Sequence, residues 1–360
     1  MTALRVLALT RYGALGASSR MRSLQYLPAL AAGGVQVQVQ ALFGDAALLA
    51  RYRRGRYGLG TALRCFAQRV AALQRRQQFD LLWIEKEALP WWPLWAEAAL
   101  LRGVPYVLDY DDAVFHNYDQ HRLAAVRHVF GKRLDGLMAK AALVVGGNEY
   151  LAQRARAAGA PWVEVLPTVI DLDRYPAPAI NPVRLTGQLP RIVWIGSPST
   201  VRYLQLLQEP LQALAQRLPF VLRVIGGDFS LPGVQVECVP WSEDTEVAAI
   251  AACDVGVMPL LDSPWERGKC GYKLIQYMAC GLPVVASDVG VNPEIVRHGE
   301  NGYLASTPGD WLAALEALLQ SPSQRAQWGA KGRHRVEEAY CIQKTGPLMA
   351  QLLRTAAGKF

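Results

Sequence analysis

Long apolar runs are missing from this 360-residue chain. No stretch approaches about 18 uncharged apolar residues, so a membrane-spanning helix is not expected. The run after Arg5 is five residues long before Arg11 interrupts it. That is too short for the apolar part of a secretory leader and suits a first buried strand. These absences predict a cytoplasmic protein. Cysteine is scarce: Cys65, Cys238, Cys253, Cys270, Cys280 and Cys341 form no C-x-x-C pair and show no metal-ligand spacing. Buried, reduced thiols follow, rather than disulfides or a metal site. Charge is sparse too, at 19% of residues against 51% hydrophobic, which predicts a globular chain. The length exceeds what one typical core holds, so two domains of roughly 150–200 residues are expected.

The charge that is present lies unevenly. Residues 1–170 hold 21 Lys and Arg against 12 Asp and Glu, a balance of +9, while the remainder holds 17 against 18. A knot at Arg51, Arg53, Arg54 and Arg56 is followed by Arg64, Arg69, Arg75 and Arg76. Such asymmetry suggests an anionic partner (a membrane surface, an anionic lipid or nucleic acid), with a solvated helix face as the plain alternative. No aromatic-basic RNA motif or helix-turn-helix pattern accompanies the arginines, so nucleic acid is not expected.

Arg5 to Thr10 reads as a buried strand, followed by a glycine- and serine-bearing turn from Arg11 to Arg22. A helical pattern at Met21, Leu24, Leu27 and Leu30 ends at Gly33-Gly34, and VQVQVQALF alternates as a second strand. Strand, helix, strand at this spacing is a βαβ unit and predicts a parallel sheet. Further strands are read at Asp80–Glu85, Val104–Ala113 and Ala141–Gly146, with helices at 51–78 and 94–101. Four prolines between Tyr175 and Pro190 mark a linker. A second series starts with RIVWIGSPST at Arg191 and continues through strands at 220–227, 234–241, 251–259 and 284–288, with helices from Trp311 onwards. The expected organisation is an α/β domain over 1–172, a linker over 173–190 and a second α/β domain over 191–340. A C-terminal helix over 341–360 is expected to pack back on the first domain. Open parallel sheets bind ligands beyond the carboxyl ends of their strands.

The stretch Pro264–Asp288 organises the second half. Basic residues and glycines lead into an apolar helical run that stops at Cys280-Gly281, with Val284–Ser287 as a short strand. Glycine turn, lysines and helix N-terminus form an anion site by shape: Gly271 permits close approach, and Lys269 and Lys273 add charge. An ordinary capped helix with solvated lysines is the alternative. Asp109, Asp111 and Asp112 crowd the end of the fourth strand, where mutual repulsion calls for a cationic partner or an open face.

Taken in order, Lys273–Ser287, Gly290–Val296 and Gly299–Leu304, with Leu166–Asp171 earlier, resemble the motifs of family 4 glycosyltransferases. The resemblance is strongest from Trp194 to Leu304. It implies the GT-B fold, two Rossmann-like domains whose parallel sheets face an interdomain cleft. It also implies a nucleotide-diphosphate sugar as co-substrate, retention of anomeric configuration and no required metal or other cofactor. On the donor side it assigns Gly271, Tyr272, Lys273 and Lys269 to the phosphates and Gln276 to the ribose, where the family usually has a glutamate. The family's other glutamate is replaced by Gly268, with Glu266 two residues away. Glu294 lies in the second matching segment and joins the donor side. Gly196, Ser197, Ser199 and Arg202 stand where the family commonly has Gly-Arg, with a Ser/Thr helix cap as the alternative there. Gly16 is expected to allow close approach of the donor.

Asp111 or Asp112 is expected to orient the acceptor hydroxyl or to stabilise positive charge on the sugar, with His116 near them. In the alternative the leaving phosphate takes the acceptor proton and the aspartates only position substrate. An Asp-x-Asp pair is also a metal motif in another glycosyltransferase fold, and the GT-B resemblance argues against metal here. Arg20 and Glu85 are placed on the acceptor side, although Glu85-Lys86-Glu87 equally fits a surface ion-pair pattern. Trp91, Trp92 and Trp95 suit an acceptor wall, a membrane-interface wall or core packing. The expected function is a retaining hexosyltransferase acting on a glycan or lipid-linked acceptor in cell-surface polysaccharide synthesis, with the inner face of the membrane as a place of contact. The alternatives are a sugar-nucleotide epimerase of the same fold and, less favoured, a basic nucleic-acid-binding protein.

Overall fold

A computed structural model describes residues 3–177 and 188–358. These fall into two compact units, and neither is one continuous piece of chain. Residues up to 168 join 268–270 and those from 342 in the first unit; 169–267 and 271–341 make the second.

The first unit holds a six-stranded sheet: β1 (Leu4–Tyr12), β2 (Val35–Phe43), β3 (Leu81–Glu85), β4 (Tyr106–Tyr110), β5 (Leu143–Gly146) and β6 (Val163–Val165). The order is β2-β1-β3-β4-β5-β6 and every pairing is parallel. β3 and β4 are buried along their whole length, as continuous apolar runs in a sheet covered on both faces must be. β2 lies at the edge, and its Val-Gln alternation is that of a half-covered strand. The strand order reverses between β1 and β3, which makes their carboxyl ends the switch point where parallel sheets open a crevice.

The second unit repeats the plan with β7 (Arg191–Ile195), β8 (Val221–Ile225), β9 (Gln235–Val239), β10 (Val255–Met258), β11 (Val284–Ser287) and β12 (Gly302–Ala305). Their order is β12-β11-β10-β7-β8-β9, again all parallel, so the switch point lies between β7 and β10. β12 is an addition to the sequence reading. It has four residues and begins at Gly302, where a Cβ would stand 2.3 Å from the Val284 carbonyl oxygen. Too few apolar residues remain to show a period.

The first division falls after Thr168, four residues before the expected domain end. Ile170 donates its N–H to the Tyr340 carbonyl at 3.1 Å, and Ile170 and Tyr175 are buried in the second unit's core. Most of the expected linker, residues 178–187, lies outside the described residues. The helix Ile342–Ala356 belongs to the first unit and packs on the helix Leu27–Ala32. Small residues set that approach: a Cβ on Gly346 would lie 2.6 Å from Ala29 Cβ, and one on Gly33 2.9 Å from Ala350 Cβ. Tyr26 and Thr345 share a hydroxyl hydrogen bond at 3.0 Å.

The positive excess of the first half is only partly a surface property. Arg20, Arg22, Arg69, Lys86 and Arg133 are all buried. Arg69, counted above with the basic helices, donates to the backbone carbonyls of Thr10, Gln40 and Ala88. The exposed cations that remain in that region are Arg51, Arg53, Arg54, Arg56, Arg64 and Arg75.

Candidate functional sites in the two units

In the first unit the chemistry gathers where β1, β3 and β4 end. Lys86, the residue after β3, has a backbone φ of 63°, a left-handed conformation that costs a non-glycine residue roughly 1 kcal/mol. Its N–H donates to the Asp109 carbonyl at 2.8 Å, which continues the pairing with β4 past the strand end. Its ammonium stands 2.8 Å from Asp111 Oδ1, 3.6 Å from Asp112 Oδ2 and 3.9 Å from Glu85 Oε1. It also donates to Ser18 Oγ at 2.9 Å, and the Ser18 hydroxyl donates to Asp111 Oδ2 at 2.5 Å. Ser18 comes from the short helix Ala17–Arg22 that follows β1.

Lys269 Nζ reaches Asp112 Oδ1 at 3.5 Å. Its own backbone is fixed by the carbonyl accepting from Asn148 Nδ2 at 2.9 Å, and the next residue's thiol donates to the Asp111 carbonyl at 3.2 Å. The glycine at 268, where the family resemblance implies an acid, has a steric cause. A Cβ there would lie 2.5 Å from Ala113 Cβ and 2.8 Å from its backbone nitrogen, so no side chain fits.

The three aspartates are thereby separated by task. Asp109 is buried against Arg22, whose Nε stands 2.7 Å from Oδ1 and whose Nη1 donates to the Leu166 carbonyl. Asp111 is 12% exposed and Asp112 29%, which makes Asp112 the most open carboxylate of the group. Burial pushes the Asp111 carboxyl up, but the Lys86 charge and the hydrogen bonds from Lys86 and Ser18 outweigh it and hold the group below the usual range. For Lys86 burial acts downward, and Asp111, Asp112 and Glu85 together carry its ammonium well above an ordinary lysine. The cation between Asp111 and Asp112 is therefore this ammonium. Among the described residues no group of three or more His, Cys, Asp or Glu side chains is placed to hold a metal ion.

In the second unit, Gly196 after β7 and Gly226 after β8 are forced to be glycine. A Cβ on Gly226, at φ 83°, would lie 2.3 Å from the Gly196 carbonyl oxygen. The turn that follows ties its hydroxyls to one another: Ser197 Oγ and Ser199 Oγ are 2.9 Å apart, and the Ser197 N–H donates to Thr200 Oγ1 at 3.1 Å. Arg202 is exposed, its guanidinium 5.3 Å over the Tyr203 ring. The helix Tyr272–Ala279 starts from Gly271 at φ 65°, whose carbonyl accepts from the Leu274 and Ile275 N–H groups. The space a Cβ on Gly271 would need is filled by Ile295 Cδ1 at 2.2 Å, so the glycine is required by packing as well as by φ. Lys273, in the first turn of that helix, places Nζ 5.6 Å over the Trp194 ring.

Residues 189–321 match the family described as glycosyl transferases group 1. This stretch is a group 1 glycosyl transferase domain. It contains all six of the second unit's strands, and so carries the whole expected donor side apart from Gly16. A D-inositol 3-phosphate glycosyltransferase of Pseudarthrobacter chlorophenolicus is 30% identical over 122 residues, which are 33% of this chain and 28% of that relative. Sucrose-phosphate synthase from Thermosynechococcus elongatus superposes with a TM-score of 0.72 at 19% identity, covering 98% of each chain. HepE of Anabaena, solved with UDP and glucose, superposes with a TM-score of 0.71 at 17% identity, covering 98% of this chain and all of that one. At such identities the likeness is one of fold, and that fold is GT-B.

The remaining expected residues take varied places. Within the group 1 domain, Gln276 is 3% exposed and its amide donates to the Tyr175 hydroxyl at 2.9 Å. Glu266, the nearest acid to position 268, is buried and accepts from the Tyr203 hydroxyl at 2.5 Å and from Ser263. Glu294 is exposed on the short helix Asn292–Ile295.

In the first unit, His116 stands apart from the aspartate cluster's hydrogen bonds. Its ring nitrogens meet Asp119 and Tyr150, both at 2.8 Å. Glu85 is buried and accepts from the Arg11 N–H at 2.8 Å and the Ser19 hydroxyl at 2.6 Å, so one of its oxygens is spent on holding the loop after β1. Arg20 is buried and donates to the Ala14 carbonyl in its own loop. Gly16 packs on Tyr12, where a Cβ would stand 2.3 Å from Tyr12 Cβ. Ser18 was not singled out in the sequence, and Lys86 entered only as the middle of Glu85-Lys86-Glu87, without a task of its own. The available signal was a lysine between two acids at the end of a wholly apolar strand, where a surface ion pair has no business.

Proposed function

We propose that this protein is a retaining glycosyltransferase that moves a sugar from a nucleotide-diphosphate sugar to a glycan or lipid-linked acceptor in the building of a cell-surface polysaccharide. The observation that carries the reading is the group 1 glycosyl transferase match over residues 189–321, which form most of a Rossmann-like unit with glycine-lined strand ends. In the reaction the bond from the anomeric carbon to the diphosphate oxygen breaks and a bond to the acceptor oxygen forms. The acceptor proton leaves with the released phosphate. Lys273, Arg202 and the first-turn amides of the helix Tyr272–Ala279 supply positive potential for the diphosphate. Asp112, the open carboxylate, stabilises the positive charge that develops on the sugar. No divalent ion is needed, since lysine ammonium groups already occupy the places beside Asp111 and Asp112.

A lipid-linked acceptor fits the first unit's outer helices. Asp45–Arg54 and Leu59–Gln74 expose Leu49, Tyr52, Leu59 and Leu63 among exposed arginines, an arrangement suited to an anionic lipid surface at the cytoplasmic face. No helix among the described residues is long and apolar enough to cross a membrane.

Incubation of the purified protein with uridine, guanosine and thymidine diphosphate sugars tests the main reading. One sugar nucleotide should be consumed, slowly by hydrolysis without acceptor, and chelator should leave the rate unchanged. Absence of calorimetric binding to all of them at millimolar concentration would overturn it, and inversion of the sugar without transfer would replace it by epimerisation.

A further inference from the structure

We propose that Lys86 is the positioning residue of the first unit's site, its ammonium fixing the Asp111 and Asp112 carboxylates as one array for the acceptor hydroxyl and the sugar in transfer. The inference rests on the transferase reading above and adds a residue and a task to it.

Three observations converge. The first is backbone strain. Among the described non-glycine residues only Lys86 and Trp91 have positive φ, and both lie in the loop that follows β3. A turn of this shape alone would be served by glycine or asparagine, so a lysine held there is retained for its side chain. The second is place. Ser18 follows β1, Lys86 follows β3 and Asp111 follows β4, so the array straddles the switch point of the sheet. The third is an incomplete count of hydrogen bonds. An ammonium has three N–H donors. Ser18 Oγ at 2.9 Å takes one, Asp111 Oδ1 stands in ion-pair contact at 2.8 Å, and Asp112 and Glu85 lie at 3.6 and 3.9 Å, too far for a good bond. Glu85 Oε1 is buried there without a hydrogen-bond partner. A buried ion pair of this kind adds little net stability over apolar residues. Holding two carboxylates in a fixed relation is a task that only the cation performs.

Asp111 is met by Ser18 and Arg22 from the helix after β1, Lys86 from the end of β3, Asp109 from its own strand and Cys270 from residues 268–270, while Glu85 lies beyond Lys86 and Lys269 beside Asp112. Of these, Lys86 is the nearest cation. Its removal leaves burial as the dominant influence on Asp111, and the carboxyl titrates higher.

Lys86→Met, similar in length and uncharged, is the test. It should bind the nucleotide sugar as the natural protein does, lose about a hundredfold in kcat, and show the acidic limb of its pH–rate profile moved upward by about one unit. Turnover within about threefold of the natural protein with an unmoved acidic limb overturns the proposal. So does a loss of donor affinity that accounts for the whole effect. Should Lys86→Met fail to fold, the double variant Lys86→Met with Asp111→Asn removes the stranded charge; it should fold and stay slow, and full activity in it overturns the proposal. Carboxylate carbon NMR of both proteins reads the Asp111 titration without any turnover. If the natural protein consumes no sugar nucleotide, the transferase reading fails. If Asp111 titrates alike in both proteins, this inference alone fails.

Discussion

Asp112 and Asp111 are adjacent in sequence and yet differ in what a substitution there should reveal. Asp111 is enclosed by Lys86 and Ser18, whereas Asp112 makes only long ion pairs and keeps a face open. Asp112→Asn should therefore leave thermal stability nearly unchanged, lower kcat by about a hundredfold and leave nucleotide-sugar affinity near normal, as steady-state kinetics and calorimetry would show. Wild-type turnover in Asp112→Asn would remove the carboxylate from the reaction. The aspartate triplet was visible in the sequence as crowded charge, but its division of labour was not. Arg22, 87 positions from Asp109, and Lys269, 157 positions from Asp112, are brought in by the fold, and local spacing carries no trace of such partners. The same holds at position 268: the sequence showed a missing acid, and only the approach of Ala113 gives the reason.

At the scale of elements, strands with long or alternating apolar runs were legible, though some are shorter than read: Val104–Ala113 becomes Tyr106–Tyr110 and 251–259 becomes Val255–Met258. Val35–Phe43 and the helix Leu94–Leu101 have the bounds their patterns predict. β12 was not, because four residues starting with glycine show no period. The arginine-rich stretch, read as one helix over 51–78, is two helices, Asp45–Arg54 and Leu59–Gln74, parted after Gly55 at φ 71°, and burial of Arg69 could not be read from it. A guanidinium that satisfies three backbone carbonyls looks, in sequence, like any solvated arginine. The two outer helices yield a prediction of their own. Leu59→Glu together with Leu63→Glu should abolish most cosedimentation with vesicles containing anionic lipid, while activity on a soluble acceptor stays unchanged. If binding to anionic vesicles persists in that variant, these leucines do not form the membrane face. The side chains are exposed, so little stability should be lost.

For the molecule as a whole, the pH dependence of stability should bear the mark of one buried carboxyl. Glu97 lies on the helix Leu94–Leu101 and accepts from the Ala88 and Leu89 N–H groups while paired with Arg133, which also serves Glu87. Burial, reinforced by the Glu87 charge, raises it to about 7 in spite of Arg133 and the backbone donors. An acid whose folded pKa lies above its unfolded value stabilises fully below the unfolded value, near 4.3, and loses that contribution as pH rises through about 7. The free energy of unfolding measured in denaturant should thus fall between pH 5 and 8 by an amount on the order of 3 kcal/mol, other groups being equal. In Glu97→Gln that slope should flatten. An unchanged slope would show that Glu97 stays ionised throughout.

The helix Ile342–Ala356 gives the first unit a peculiar history. Ribosomes release a chain from its N-terminus, and domains made first generally fold first. Here the sheet β1–β6 is complete in sequence by Val165, but the helix that covers Leu27–Ala32 is made only after the second unit, residues 169–341, has been made. The first unit thus begins before the second and is finished after it, and until then Ala29 and Gly33 lack the neighbours Gly346 and Ala350 that approach them. A fragment ending at residue 172 should consequently be partly unfolded or aggregate, and a peptide of residues 340–358 added in trans should restore its protection against hydrogen exchange in the segment Leu24–Gly34.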